Sequence, residues 1–318
     1  MKIDKSVKQS IRKVFGQTLA SIGEFNEKVV VLDADLSCST QTKIFADKFP
    51  QRFFNCGIAE QNMIATAAGL ASQGKIPFAS TFAMFATGRT YDQIRNGVCY
   101  SELDVKIVGT HGGITVGEDG ATHQALEDVA LMRVIPHMTV IVPADAKECE
   151  EVIKYASIHK GPMYIRLSRC NVPDIFDENY HFNIHKAVIV EQGHDATIFT
   201  NGELLAECIL ASQKLKEEGI SVRVVNVPVV KPIDKDTIIE CAKDSKFFVT
   251  VENHSTIGGL GSAVCEVVCA NSPKKVYRIG INDEFGQSGK SDELIEYYGL
   301  DYLSLVKRIK RICEKEFN

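Results

Sequence analysis

Short apolar runs alternate with helix-like stretches along most of the chain. Residues 29–32, Val-Val-Val-Leu, run into Asp33, Asp35 and small polar residues, which predicts a buried strand followed by a loop. Residues 63–70 are rich in Ala, Ile and Leu, and Gly74 lies just beyond; this predicts a helix with a glycine stop. Further strands are predicted at 76–79, 106–110, 139–142 and 163–167, with Asp145 placed to cap a helix reaching about His159. A glycine-rich loop, 111–120, follows the strand at 106–110. Repeated alternation of strand and helix predicts a mostly parallel sheet covered on both faces, with functional loops at the carboxyl ends of its strands.

The pattern breaks at 171–186, which is polar, aromatic and aperiodic. It then restarts with strand-like runs at 187–190, 196–200, 222–227, 247–251 and 276–281, and a helix at 204–218 stopped by Gly219. The fold class expected is therefore α/β with two doubly wound domains, the second smaller. The expected boundaries are 1–172 for the first domain, 173–186 for a linker and 187–318 for the second.

Composition narrows the function. With a net charge of -5 the chain has no positive excess to favour nucleic acid or an anionic membrane. A small basic cluster near the end (Lys307, Arg308, Lys310, Arg311) reads as a solvated helix face. The ten cysteines form no CxxC pair and match no zinc spacing, so they read as reduced and mostly buried. The amino-terminal stretch lacks the apolar core of a signal peptide, and no apolar run approaches a membrane span. A cytoplasmic location is expected.

Four stretches of the first domain carry candidate chemistry. Asn55 to Met63 joins a strand-like Phe53-Phe54 to the Ala-rich helix and puts Glu60 in its first turn. A glutamate there also serves simply to oppose the helix dipole. Phe82 and Phe85 are three residues apart, as on one face of a helical turn, which core packing alone would explain. His111, Asp119 and His123 share or adjoin one glycine-rich loop. Asp33 to Ser39 ends the first strand with small hydroxyl residues, suited either to a phosphate or to a helix cap. There is no P-loop, GxGxxG, GxSxG or HExxH, and the turn Gly258-Gly259-Leu260-Gly261 is too short a signal for a dinucleotide site.

Taken in order, NCGIAEQNM, ASTFAMF, GITVGEDGATHQALED and RLSRCN resemble the pyrimidine-binding domain of transketolases. The later stretch VENHSTIGGLG resembles the transketolase C-terminal domain. The resemblance runs from about residue 8 to 310. It implies thiamine diphosphate as cofactor, whose thiazolium carbanion does the chemistry. Glu60 would hydrogen-bond the pyrimidine and drive its tautomerisation; aspartate would be a methylene too short. Phe85 and Phe82 would hold the pyrimidine ring, and Asp35 would lie beside the cofactor at a subunit interface. A third aromatic usual in the family is replaced by Gly88, with Arg89 or Tyr91 as candidates to compensate. Asp119 and His123 would hold substrate hydroxyls, His123 with a catalytic part. His111, Ser39 and Arg169 would meet the sugar-phosphate end, where a guanidinium suits a phosphate.

The family's diphosphate motif, GDG followed by an asparagine, is not found. The resemblance thus implies a separate N-terminal subunit holding the diphosphate and Mg2+ (or Ca2+), in an α2β2 assembly. The expected activity is transfer of a two-carbon ketol unit between sugar phosphates, as in the pentose phosphate pathway. Alternatives are another thiamine-dependent subunit, like 1-deoxyxylulose-5-phosphate synthase or a 2-oxoacid dehydrogenase beta chain, a paralogue acting on a less common sugar phosphate, and a non-catalytic assembly partner. The second domain is expected to serve dimer packing and burial.

Overall fold

The computed structural model describes residues 3–317. The ends of the two expected domains (Met1, Lys2 and Asn318) lie outside them. Two sheets organise the chain. In chain order the strands of these two sheets are β1 (Val29–Asp33), β2 (Phe53–Asn55), β3 (Ile76–Phe82), β4 (Lys106–Thr110), β5 (Thr139–Ile141), β6 (Met163–Arg166), β7 (Val188–Glu191), β8 (Ala196–Thr200), β9 (Val222–Asn226), β10 (Val229–Lys231), β11 (Phe247–Ser255) and β12 (Val276–Ile281).

The first sheet has the order β10-β5-β6-β4-β3-β1-β2, parallel except for β10. Its central strands β1 and β4 are buried throughout, as continuous apolar runs require when both faces are covered. The second sheet has the order β12-β11-β8-β9-β7, with β7 antiparallel. β10 comes from the second half of the sequence yet closes the edge of the first sheet, a crossover the sequence pattern did not predict. Where the expected first domain meets the linker, Val172–Pro173 forms an antiparallel ladder with Lys8–Gln9.

Local signals explain most helix positions. Asp145 caps the helix Ala146–Ala156 by accepting from the Glu148 amide at 2.8 Å. The helix predicted at 63–70 begins earlier, at Glu60, and runs to Ser72. The helix Ile11–Phe25, not predicted above, is capped by Ser10 and buries Ile11, Phe15 and Leu19 against the first sheet. The glycine turn at 258–261 opens the helix Leu260–Asn271, but its amide end is already taken. Glu252 accepts from the Leu260 and Gly261 amides at 2.7 and 2.9 Å, which leaves no phosphate cradle there. The basic cluster is not simply a solvated face. Lys310 pairs with Glu218 at 2.5 Å, and Arg308 reaches the Gly299 carbonyl at 3.4 Å.

All ten thiols are free, five of them buried. Among the described residues no helix is long and apolar enough to cross a membrane.

Candidate active site

Glu60 is the first residue of its helix and is 4 % exposed. Its Oε1 accepts from Arg89 Nη1 at 2.8 Å. The guanidinium of Arg89 also lies over the Phe85 ring, 4.1 Å from its centroid. Phe85–Arg89 is a π-helical turn, a local irregularity common at functional sites. Phe82 is the last residue of β3, not part of a helical turn with Phe85, yet the two rings stack at 5.8 Å and 16°. His123 meets Phe85 edge-on at 5.2 Å. His111 stacks on Phe82 at 3.9 Å.

The far end of this stack is basic. His111 is 3 % exposed, its Nδ1 contacts Thr110 Oγ1 at 2.9 Å, and its Nε2 faces Arg12 Nη1 at 3.4 Å. Burial, helped by Arg12, Arg169 and His123, holds its pKa down to about 3. The imidazole is therefore neutral, and with Arg12 facing Nε2 the proton belongs on Nδ1. Arg12 donates to the carbonyls of Ser39 at 2.6 Å and Arg169 at 3.0 Å, and its Nε is buried without a partner. Burial and then Arg169 push the Arg12 pKa down. Arg169 pairs with Glu118 at 2.9 Å and donates to the Val116 carbonyl.

Arg12 was missed from sequence because nothing local marks it: it is an ordinary arginine in a helix. Two arginines and a histidine converge there, and one guanidinium nitrogen is left unsatisfied. That arrangement suits an anion.

Asp35 joins the site from the other side. It exchanges two hydrogen bonds of 3.1 Å with Asn55, whose Oδ1 also accepts from the Gly57 amide at 3.0 Å. Asp35 thereby braces the loop that leads into Glu60. Asp35 and His111 both have left-handed backbones, φ 63° and 59°, a strain of a kind concentrated at functional sites. Asp119 is exposed at the rim and is not drawn into the stack.

The second domain does more than pack. Asn253, at the end of β11, accepts from the Ile114 amide at 3.0 Å and donates to Glu203 at 2.5 Å. Its own carbonyl accepts from Arg166 at 2.8 Å, and Arg166 pairs with Asp128 at 2.8 Å. Ser291 donates to the Thr115 carbonyl at 2.9 Å, and Gln124 to the Gln287 carbonyl at 3.0 Å. Gly113 sits at φ 75°, where a Cβ would lie 2.4 Å from the Asn253 carboxamide. The loop from His111 to Gln124 is thus clamped by the second domain, a part beyond the expected packing and burial. A cavity of about 430 Å³ between the domains adjoins the aromatic stack through Met84 and Thr122; its lining includes Glu127, Ser255 and Phe285. It flanks the chemistry described above and is not centred on Glu60.

The stacked Phe82 and Phe85 rings thus have a buried carboxylate, Glu60, at one end and a cluster of Arg12, His111 and Arg169 at the other. The chain belongs to the transketolase family. The transketolase pyrimidine-binding domain matches residues 7–174 and the transketolase C-terminal domain residues 185–304. It is 54 % identical to a chain of Methanocaldococcus jannaschii described as a transketolase C-terminal section, over 98 % of both. It is 40 % identical to a 6-deoxy-6-sulfo-D-fructose transketolase subunit of a Clostridium species, over 96 % of this chain and 95 % of that one. A split-gene transketolase solved as an inactive beta4 tetramer superposes with a TM-score of 0.90 at 46 % identity, covering 96 % of this chain and 99 % of that one. Against the human transketolase, 36 % identical, it spans 50 % of the longer chain.

Proposed function

We propose that this chain is the C-terminal subunit of a thiamine-diphosphate-dependent transketolase, transferring a two-carbon ketol unit between sugar phosphates. A separate N-terminal subunit would hold the diphosphate and its Mg2+ or Ca2+, in an assembly of two copies of each chain. The observation that carries the reading is the placement of Glu60. Its buried carboxylate faces a planar donor group that lies over the Phe85 ring. That a guanidinium fits there supports the fit of an aminopyrimidine, which presents the same flat face and edge donors.

When bound, the cofactor would supply a nucleophilic carbon that takes up the ketol unit. The residues of this chain do the rest. Glu60 holds and exchanges a proton at the pyrimidine ring nitrogen. Phe82 and Phe85 fix the plane of the ring. His123, with Asp119 at the rim, faces the sugar hydroxyls. Neutral His111, with Arg12, Arg169 and Ser39, receives the charged end of the sugar. Asp35 steadies the Glu60 loop where the partner subunit closes over it.

The relatives support a second reading of the substrate alone. One is named for a sulfo-sugar, and another, 35 % identical, is a subunit of the apulose-4-phosphate transketolase of Phocaeicola vulgatus. A guanidinium cluster takes sulfonate as well as phosphate. The experiment measures ketol transfer by this chain alone, by an N-terminal partner alone and by the two mixed. Activity only in the mixture is expected; full activity of this chain alone would refute the split-subunit reading. Competing fructose 6-phosphate against its 6-sulfo analogue in the mixture then chooses between the substrates.

A further inference from the structure

Arg89 is the feature that the reading above does not absorb. A buried carboxylate without a partner is costly, and Glu60 accepts its hydrogen bond from this arginine. The two ends of the pair differ: the Glu60 side chain is 5 % exposed and that of Arg89 51 %. The arginine is therefore a solvent-side arm reaching in to a fixed acid. Its backbone is anchored separately, since its carbonyl accepts from Gln61 Nε2 at 3.0 Å. Its neighbour Gly88 is exposed, and a Cβ there would meet Met84 Cε at 3.3 Å. The side chain can leave Glu60 and Phe85 for water without moving the chain.

The guanidinium makes the two contacts that the pyrimidine ring needs. It donates to Glu60 Oε1 and sits over the Phe85 ring. Ring and guanidinium compete for one oxygen and one aromatic face. We propose that Arg89 is a positioning residue of the pyrimidine pocket, a stand-in that holds Glu60 and covers Phe85 until the ring displaces it. The proposal rests on the assignment of Glu60 as the pyrimidine partner. It explains how the acid stays satisfied in a single subunit. It also gives the replacement of the family's third aromatic by Gly88 a consequence, because the adjacent arginine is what covers Phe85.

The test uses the full chain by itself and the pyrimidine half of the cofactor, 4-amino-5-(hydroxymethyl)-2-methylpyrimidine, with affinity read by ligand-observed NMR. Arg89→Met is expected to bind it about tenfold more tightly than the wild type, because no half-exposed pair has to open first. Arg89→Lys, which keeps the charge and loses the flat face, is expected to fall between. In a Glu60→Gln background the gain from Arg89→Met is expected to shrink, since the two residues act as a pair. Unchanged melting temperatures would show that the variants fold. Equal or weaker binding by Arg89→Met overturns the stand-in role and leaves the pocket assignment standing. No binding by any variant overturns the pocket assignment, and the stand-in role with it.

Discussion

His111 lies face to face with Phe82, ring centroids 3.9 Å apart, and points its Nε2 at Arg12. This contact joins the two halves of the site. The aromatic stack that suits a flat ring and the basic cluster that suits an anion meet at one imidazole. Because the imidazole is buried beside two arginines, it is neutral where a free histidine would titrate.

That neutrality sets a pH dependence. The folded pKa lies at about 3 and the unfolded one near 6.5. Between these values the unfolded chain binds the extra proton, so the contribution of His111 is complete above pH 6.5 and is lost as pH falls towards 3. His111→Asn is expected to flatten the acid limb of stability by up to ~1.4 kcal/mol per pH unit, the slope of one proton. Urea unfolding at intervals from pH 4 to 7 measures it. An unaltered slope would mean that the folded imidazole takes up its proton normally.

Arg12 provides the second prediction. Its unpartnered Nε and its place between Ser39, His111 and Arg169 are why the proposed function gives it the charged end of the sugar. In the reconstituted complex Arg12→Met is expected to raise the sugar-phosphate KM by about 10- to 100-fold, the loss of one charge-assisted contact of about 1.5–3 kcal/mol. Cofactor affinity is expected to stay within about twofold. A variant that lost cofactor while keeping its sugar KM would place Arg12 at the wrong end of the site.

Glu60→Gln separates binding from proton exchange. The amide can still accept a hydrogen bond but cannot hand over a proton. Assembly is expected to persist while deuterium exchange at the thiazolium carbon slows by at least ~100-fold. Exchange at the wild-type rate would remove Glu60 from its role.

The clamp from the second domain can be tested without the partner. Asn253→Ala removes the acceptor for the Ile114 amide and the donor to Glu203. Leaving buried groups unpaired costs about 1–3 kcal/mol. Hydrogen exchange across residues 111–124 is expected to quicken by about 5- to 100-fold, while the first-sheet strands β1 and β4 keep their protection. In the complex the sugar KM should rise more than kcat falls. Uniform loosening of the whole chain would indicate a structural defect and not a positioning role.

By itself the sequence determined the layers. The apolar run at 29–32 and the strand-like run at 106–110 pointed to buried strands, and Asp145 and Gly219 marked helix ends through local bonding alone. The order of the four motifs pointed to Glu60, Phe82, Phe85 and His123. Tertiary structure decided which side chains face one another. Arg12 and Arg169 are separated by 157 residues, and Asn253 and Ile114 by 139. No periodicity encodes such pairings; they arise when strands and helices pack and their ends converge. The same holds at short range for Arg89, whose contact with Glu60 across 29 residues depends on a π-helical turn that hydrophobic spacing does not record. Burial then fixed the chemistry, because only packing could tell that His111 is neutral and that Arg12 keeps a donor unsatisfied.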